Sequence, residues 1–352
     1  MIGATAPDGP RALEPAGSPG PQRRTNSGPL AGAGSADGPQ SAGCIYQRAI
    51  GAAAKDIEGE LNGDSAYSLR CTLCGTGTGP IARVVRCEHC NGVLEVSYSV
   101  FPDGRSARLP LLKPGVQISL GEGNTPEVSL HRAADALGLG ELRAKLEFMA
   151  PTGSFKDRGS ALLVSLARQE GVQGFVEDSS GNAGASLSAY AAAAGMNAHI
   201  FVPSTAASGK LDQIRIFGAT LHAVEGPRQA ATEAAQEFVR ESGLPYLSHS
   251  LSPFFSEGMK PFAYEVTGHG GEIPDHIVLP VGNGSLLIGA RAGFAELLTA
   301  SVIARVPKFH AVQMENVCPV AAAINGEDWN PSQAAPTVAS GIAVSAPPRL
   351  AQ

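Results

Sequence analysis

The sequence predicts an α/β fold built on parallel sheets, and two observations support this prediction. From Val172 onward, short apolar runs alternate with helical ones. Such alternation produces right-handed βαβ units around a parallel sheet. With 352 residues, 43% of them hydrophobic, the chain is long and apolar enough for two medium α/β domains. The expected strands lie near 174–177, 198–202, 219–224, 277–281 and 309–313.

The composition argues against several classes of function. The formal net charge is −6, and no block of basic residues with interleaved aromatic ones occurs, so nucleic acid is not an expected partner. No apolar run approaches the roughly 18 residues of a membrane span, and the first 30 residues lack the apolar core of a signal peptide. We therefore expect a cytoplasmic protein that acts on small metabolites.

The N-terminal residues 1–43 are expected to form a disordered tail. They are rich in Gly, Pro, Ala and Ser and show neither helical nor strand periodicity, so they cannot bury enough apolar surface to offset the entropy of ordering. A wrongly assigned start residue and a transit peptide are the alternatives. Acidic residues argue against a transit peptide, namely Asp8, Glu14 and Asp37.

Four cysteines form two C-x2-C pairs, C-T-L-C at 71–74 and C-E-H-C at 87–90, with twelve residues between them. Four thiolates at this spacing can close a tetrahedral zinc site. We predict a zinc-ribbon-like segment over 69–98 whose zinc ligands are Cys71, Cys74, Cys87 and Cys90. The alternative is a ribbon that keeps the cysteines without binding metal firmly. Cys44 and Cys318 lie in no activated setting and are expected to be inert.

A lysine lies among small and turn-forming residues in P-T-G-S-F-K-D-R-G at 151–159, just before a helical pattern over 160–169. The start of a helix concentrates partial positive charge, which disfavours the ammonium form of Lys156 and favours its reaction as an amine. The alternative is an ordinary surface lysine at a capped helix start, with Pro151 and Gly153 as turn residues.

Two glycine-containing loops lie where an expected strand meets an expected helix. S-S-G-N-A-G at 179–184 opens a helical run that ends at Ala194, and V-G-N-G-S at 281–285 precedes another helical run. Exposed backbone N–H groups at such junctions bind anions. The second loop does not fit a Rossmann site, because the G-x-G-x-x-G spacing fails and no acidic residue follows about 20 positions later. A tight turn without a ligand is the alternative for this loop.

A reactive lysine, an Asn-containing loop and a Gly-rich loop, in that chain order, resemble the fold-type II pyridoxal-phosphate (PLP) enzymes of the tryptophan synthase β superfamily. The threonine synthases are the most similar group. The resemblance runs over about 69–346 and includes G-E-G-N-T-P at 121–126, G-K-L at 209–211 and E-G-M-K at 257–260. It implies two interleaved, parallel-sheet three-layer α/β domains over 110–346, and a homodimer.

The resemblance also implies roles for individual residues. Lys156 would bond the cofactor covalently and later carry protons as the free amine. Asn182 resembles the residue that hydrogen-bonds the ring hydroxyl. The substrate carboxylate would lie on the N–H groups of Ser180, Gly181, Asn182 and Ala183, and Ala183 stands where Thr is frequent. The cofactor phosphate would lie in the loop formed by Gly282, Asn283, Gly284 and Ser285.

The stretch that would contact the rest of the substrate departs from the family pattern. Threonine synthases carry an Arg and amide side chains here, which hold the phosphate of O-phosphohomoserine. This chain has H-S-L-S-P-F-F-S-E-G-M-K-P at 249–261, with Phe255 in place of the Arg and with His249 and Ser252 in place of amides. Loss of a bidentate cation weakens a phosphate site. We expect a threonine synthase-like elimination or replacement on a small amino acid, with O-phosphohomoserine a poor substrate.

Two alternatives stay open. A serine or threonine ammonia-lyase uses the same scaffold and needs no residue to bind a substrate phosphate. If O-phosphohomoserine is the substrate, another cation, such as Lys260 or Arg158, has to bind its phosphate. An inactive PLP-fold protein with a binding role is the alternative of another class. The chain ends soon after A-P-T-V-A-S-G-I-A-V at 335–344, where the family continues to a Ser or Thr that meets the cofactor ring nitrogen. We therefore expect a C-terminus that is truncated relative to the family.

Overall fold

The computed structural model describes residues 67–79, 81–98, 112–113, 115–206, 208–268 and 273–352. The chain divides into one unit over Met1–Glu60 and another over Leu61–Gln352, and every described residue belongs to the second unit. The tail expected over 1–43 and the isolated Cys44 therefore lie outside the described residues.

The N-terminal part of the described chain is a small antiparallel sheet. Strand β1 (Tyr67–Cys71) pairs with β2 (Gly77–Thr78) on one side and with β3 (Leu94–Tyr98) on the other. Alternate residues of β1 are buried, as expected for a strand with one covered face. Leu69 and Leu94 are fully buried and join the main hydrophobic core. This sheet, the ribbon sheet, carries the two cysteine pairs.

Two short strands and a helix follow the ribbon sheet. β4 (Glu127–Ser129) pairs antiparallel with β5 (Arg143–Lys145), and helix α1 (His131–Leu137) lies between them in sequence. Gly138 caps the C-terminal end of helix α1, and its φ of 66° lies in the left-handed region that favours glycine. A 3-10 turn over Glu147–Met149 comes just before the lysine motif.

A parallel sheet with the strand order β6-β7-β8 comes next. Its strands are β6 (Gly174–Glu177), β7 (Asn197–Pro203) and β8 (Thr220–Val224). The helices of this region are α2 (Lys156–Gln169), α3 (Asn182–Ala194), α4 (Ser208–Ile216) and α5 (Arg228–Ser242). Val176 of β6 also forms a parallel bridge with Tyr246, so the chain after α5 runs beside β6.

A second parallel sheet pairs β9 (His276–Pro280) with β10 (Lys308–Val312). The helices of this region are α6 (Pro253–Glu257), α7 (Pro261–Thr267), α8 (Ser285–Thr299) and α9 (Pro319–Asn325). Two 3-10 turns follow, at Pro331–Gln333 and Ser340–Ile342. The predicted α/β class with parallel sheets is confirmed. In the part of the chain that the structure describes, no helix is both long and apolar enough to cross a membrane.

All five predicted strands form, and their bounds differ from the prediction by at most one residue at either end. The predicted start of the helix after the lysine motif is wrong, because α2 begins at Lys156 and not at residue 160. Gly159, the last residue of the lysine motif, lies inside α2, where a Cβ atom would lie 2.7 Å from the carbonyl oxygen of Phe255 in α6. Gly159 therefore serves the close packing of two helices.

Candidate active site

Lys156 is the first residue of α2 and is half-buried. Burial lowers the pKa of Lys156 from its ordinary value to about 7. No carboxylate in the described part of the chain contributes to this pKa. The Nζ atom lies 3.4 Å from the centre of the Phe155 ring, a contact that favours the ammonium form by a smaller amount. Near neutral pH, a substantial fraction of Lys156 is therefore the neutral, nucleophilic amine.

Asp157 holds the lysine motif against α3. Its carboxylate accepts hydrogen bonds from the Thr152 N–H at 2.7 Å, from the Thr152 hydroxyl at 2.5 Å and from the Ser186 hydroxyl of α3 at 2.6 Å. Burial raises the pKa of Asp157, and these three donors act in the opposite direction. The first turn of α2, with Lys156, is thereby bonded to the second turn of α3.

Arg158, two residues after Lys156, belongs to a buried network of ion pairs. Its guanidinium donates to Glu147 and Glu265 over N–O distances of 2.6 to 2.8 Å. Lys145 Nζ lies 2.9 Å from Glu265 Oε2. Burial by itself would raise the pKa of Glu265, but the hydrogen bonds and the charge of Arg158 outweigh it and lower that pKa to about 2. The network connects α2 with β5 and α7.

The predicted Asn loop joins the carboxyl end of β6 to α3. Asn182 is exposed at the first position of α3, and Ser180 and Gly181 are half-buried. The Gly181 N–H donates to Ser179 Oγ at 3.3 Å, so one of the four N–H groups predicted to hold a carboxylate already has a partner. Gly184 must be glycine, because a Cβ atom would lie 1.9 Å from the Ser179 carbonyl oxygen. The N–H groups without an intrahelical acceptor are those of Asn182, Ala183 and Gly184.

The predicted phosphate loop, residues 281–285, joins β9 to α8. Gly284 has a φ of 82°, a left-handed conformation that favours glycine, and it immediately precedes Ser285, the first residue of α8. Gly282 packs closely, since a Cβ atom there would lie 3.1 Å from Val344 Cγ2 and 3.2 Å from Ile342 Cα. The 15-residue helix α8 places the positive end of its dipole at this loop.

His249 connects the end of β6 to the phosphate loop. Its Nδ1 atom lies 2.5 Å from Glu177 Oε1, and its Nε2 atom lies 3.2 Å from Asn283 Nδ2. Glu177 is fully buried, and burial raises its pKa, while His249 acts in the opposite direction. Sequence reasoning missed Glu177. Its signal is an acidic residue that ends a strand of otherwise apolar residues and glycine.

Lys260 and Arg158 are the two cations that could bind a substrate phosphate in place of the missing Arg, and both already form ion pairs with carboxylates. Phe255, where the resemblance places that Arg, is fully buried in the hydrophobic core. Lys260 Nζ lies 2.5 Å from Glu257 Oε2 and 2.6 Å from Glu296 Oε1. Arg158 is paired in the network described above. Neither cation is free to bind a substrate phosphate without giving up a buried carboxylate.

The four predicted cysteines form one cluster. Their Sγ atoms all lie within 4.8 Å of one another, with 3.4 Å between Cys71 and Cys90 and 3.7 Å between Cys74 and Cys87. Tetrahedral zinc with bonds of about 2.3 Å holds its sulfurs about 3.8 Å apart. Gly92 makes room for the cluster, since a Cβ atom there would lie 2.8 Å from Cys71 Sγ. The donor set and the spacing fit a structural zinc site.

Two parallel sheets, a lysine at one helix start and a glycine loop at another fit the fold-type II PLP enzymes that the sequence resembles. Comparison with known proteins agrees with this class. The chain belongs to the pyridoxal-phosphate dependent enzyme family, whose model matches residues 118–352.

Individual relatives show how far the similarity extends. The chain is 30% identical to a threonine synthase of Methanosarcina acetivorans over 306 residues, which are 80% of this chain and 73% of that protein. It is 31% identical to a threonine synthase of Methanocaldococcus jannaschii over 299 residues, 79% of this chain and 73% of that one. A solved PLP-dependent aspartate racemase is 27% identical with a TM-score of 0.54, and the match covers 62% of this chain and 66% of the racemase.

Proposed function

We propose that this protein is a PLP-dependent enzyme that performs elimination or replacement on a small amino acid. The observation that carries the proposal is Lys156, a half-buried lysine at the start of α2 whose pKa burial lowers to about 7. Membership of the PLP family supports the cofactor, and about 30% identity to two threonine synthases supports the reaction class. The homodimer and the cytoplasmic location stay predictions.

The residues present fit the cofactor. The phosphate loop, with Gly282 and Gly284, lies at the positive end of α8, which suits a phosphate dianion. Ser154, in the lysine motif, is buried, and its Oγ atom has no hydrogen-bond partner within the described residues. Buried polar atoms normally have a partner, so a bound group can satisfy this hydroxyl. The exposed Asn182 amide is available to a ring hydroxyl.

The chain's own residues would bind the substrate and move its proton. When bound, PLP supplies an electron sink that stabilises negative charge at the substrate Cα. Lys156 Nζ would remove the Cα proton, and the protonated amine would then give a proton to the departing hydroxyl, which leaves as water. A pKa of about 7 is well matched to that task at neutral pH. The N–H groups of Asn182 and Ala183 would hold the substrate carboxylate at the start of α3. Asp157 ties α2 to α3, which keeps the amine and the carboxylate site at a fixed separation.

We propose a non-phosphorylated hydroxy amino acid as the substrate. Phe255 supplies no charge, and the nearby cations are paired with carboxylates. Ser252 Oγ is buried without a hydrogen-bond partner among the described residues, and a hydroxyl suits a neutral substrate group. A phosphate without its bidentate cation loses a contact worth about 1.5 to 3 kcal/mol. O-phosphohomoserine is therefore expected to bind roughly ten- to a hundredfold more weakly than at a site with that Arg.

A serine or threonine ammonia-lyase is the second candidate, and the same uncharged Phe255 favours it. The products distinguish the reactions. Protein loaded with PLP is incubated separately with L-serine, L-threonine and O-phosphohomoserine. Ammonia with a 2-oxo acid identifies the lyase, and phosphate with threonine identifies the synthase. Efficient phosphate release from O-phosphohomoserine would contradict the proposed substrate class. A protein that shows no visible absorption band with PLP would instead support the inactive alternative.

We also propose that Cys71, Cys74, Cys87 and Cys90 bind one structural zinc ion. The cluster geometry supports this, and a full set of four thiolates leaves no open position for catalysis. Metal analysis of freshly purified, reduced protein should find one zinc per chain. Gly92→Ala should lower zinc content, because its Cβ atom collides with Cys71 Sγ, whereas Gly138→Ala, at the end of α1, serves as a control. Absence of stoichiometric zinc in the unmodified protein would rule the site out.

A further inference from the structure

We infer that Glu177, His249 and Asn283 form a positioning relay that holds the phosphate loop in the conformation that binds the cofactor. The inference rests on the proposed function, because it assigns the phosphate of PLP to residues 281–285. It goes further in naming two residues outside that loop as determinants of cofactor affinity. Both would act through Asn283 and not by touching the cofactor.

Glu177 fixes His249 firmly. Its side chain is fully buried, one carboxylate oxygen lies 2.5 Å from His249 Nδ1, and the other accepts the His249 N–H at 3.3 Å. A carboxylate accepts hydrogen bonds, so Nδ1 carries the ring proton and Nε2 presents its lone pair. The Phe255 ring meets the imidazole edge-on, 6.0 Å away between ring centroids. Orientation and tautomer of His249 are therefore both determined by the protein.

The lone pair of His249 Nε2 faces the phosphate loop. Asn283 Nδ2 lies 3.2 Å away and donates its amide hydrogen to Nε2. Asn283 stands between Gly282 and Gly284, so it supplies the one side chain within the G-N-G segment. Two glycines leave a backbone many accessible conformations. The hydrogen bond to His249 is thus a specific restraint on the loop at the start of α8.

The test measures affinity and not turnover. Cofactor-free protein is titrated calorimetrically with pyridoxine 5′-phosphate, which has the phosphate but no aldehyde to react with Lys156. At about pH 8, His249→Leu should bind this probe about ten- to a hundredfold more weakly than the unmodified protein. His249→Gln should recover much of the affinity, because its amide can donate to Glu177 and accept from Asn283. The matched control is His310→Asn, which changes an exposed histidine paired with His276 and should leave affinity unchanged.

The glutamine variant separates positioning from mere support of the fold, because a folded His249→Gln keeps both hydrogen bonds of the relay. A folded His249→Gln that binds the probe as weakly as His249→Leu would contradict the relay.

Two further outcomes keep the relay distinct from the proposed function. If the unmodified protein binds neither the probe nor PLP, the proposed function fails. If it binds both, and a folded His249→Leu binds the probe equally well, the relay alone fails. If His249→Leu does not fold, His249→Phe decides, since it keeps a ring but removes both ring nitrogens and lies outside the phosphate loop. Unchanged affinity in that variant would overturn the relay, and a loss of about tenfold or more would support it.

Discussion

Lys156 and Lys260 both stand at the start of a helix, and both lose water contact on folding, yet their surroundings differ. Lys156 has no described carboxylate contributing to its pKa, and burial lowers that pKa to about 7. Burial by itself would also lower the pKa of Lys260, but the charges of Glu257 and Glu296 outweigh it and raise that pKa. One lysine is prepared to react as an amine, whereas the other is a permanent ammonium that joins α6, α7 and α8.

The comparison shows that burial makes a lysine reactive only where no acid accompanies it. Around Lys260, the hydroxyl of Tyr98 donates a hydrogen bond to Glu257, and that of Tyr264 donates one to Glu296. These hydroxyls stabilise the carboxylates and therefore the ammonium between them. The lysine motif has an acid too, but the hydrogen bonds of Asp157 go to Thr152 and Ser186.

The largest expected effect belongs to Lys156→Ala. We expect complete loss of the visible absorption band of bound PLP, because the variant lacks the amine that bonds the cofactor. Borohydride reduction and peptide mapping of the unmodified protein should place the cofactor on residue 156. Lys308→Ala, at an exposed position of β10, is the matched control and should keep the band. A cofactor label on Lys145 or Lys210 would contradict the assignment.

At pH 7 the fraction of molecules with a neutral, reactive amine should be about a thousandfold larger at Lys156 than at Lys260. A lysine with a pKa of about 7 is half neutral at that pH, whereas a lysine near the ordinary value of about 10.4 is neutral in less than about 0.1% of molecules. Labelling of cofactor-free protein by a water-soluble amine reagent should therefore rise with pH and reach half its maximal rate near pH 7 at Lys156. Lys260, with a raised pKa, should stay unlabelled there. A midpoint near pH 10 at Lys156 would refute the proposed reactive amine.

Removal of the Lys260 amine should lower the free energy of unfolding much more than removal of the Lys156 amine. Lys260→Met leaves Glu257 and Glu296 buried without their cation, which is expected to lower the free energy of unfolding by about 3 to 5 kcal/mol. Lys156→Met leaves no carboxylate unpaired and should change it by less than about 1 kcal/mol. Urea denaturation of the three proteins measures both values. Adding Glu257→Gln and Glu296→Gln to Lys260→Met should restore part of the loss, and equal effects of the two lysine variants would contradict the comparison.

The smallest effect is expected for Tyr98→Phe. The variant removes one hydroxyl from Glu257 but leaves the Lys260 ammonium in place, so the free energy of unfolding should fall by about 1 kcal/mol. The pH midpoint of Lys156 labelling should not change, because Tyr98 belongs to the Lys260 region. A shifted midpoint would show that the two regions are electrostatically coupled.

The elements that the sequence predicted well are those with a local signature. The β6 and β9 strands could be located because short apolar runs end at glycine or polar turns, and this pattern is set within a few residues. The predicted start of α2 is four residues too late, because nothing in the local sequence shows that Gly159 belongs to the helix. Its role depends on Phe255, about a hundred positions away, and no local pattern contains that information.

In the candidate site too, some features could be predicted from the sequence and others could not. The sequence by itself determined the chemical groups, namely the lysine motif, the Asn loop, the phosphate loop and the four cysteines, since each is a short run of particular residue types. Tertiary structure alone decided which charged groups are paired. Arg158 meets Glu265 from 107 positions away, and Glu177 meets His249 from 72. Such contacts arise when strands and helices pack, and because their effect on a pKa depends on distance and burial, residue order cannot specify it.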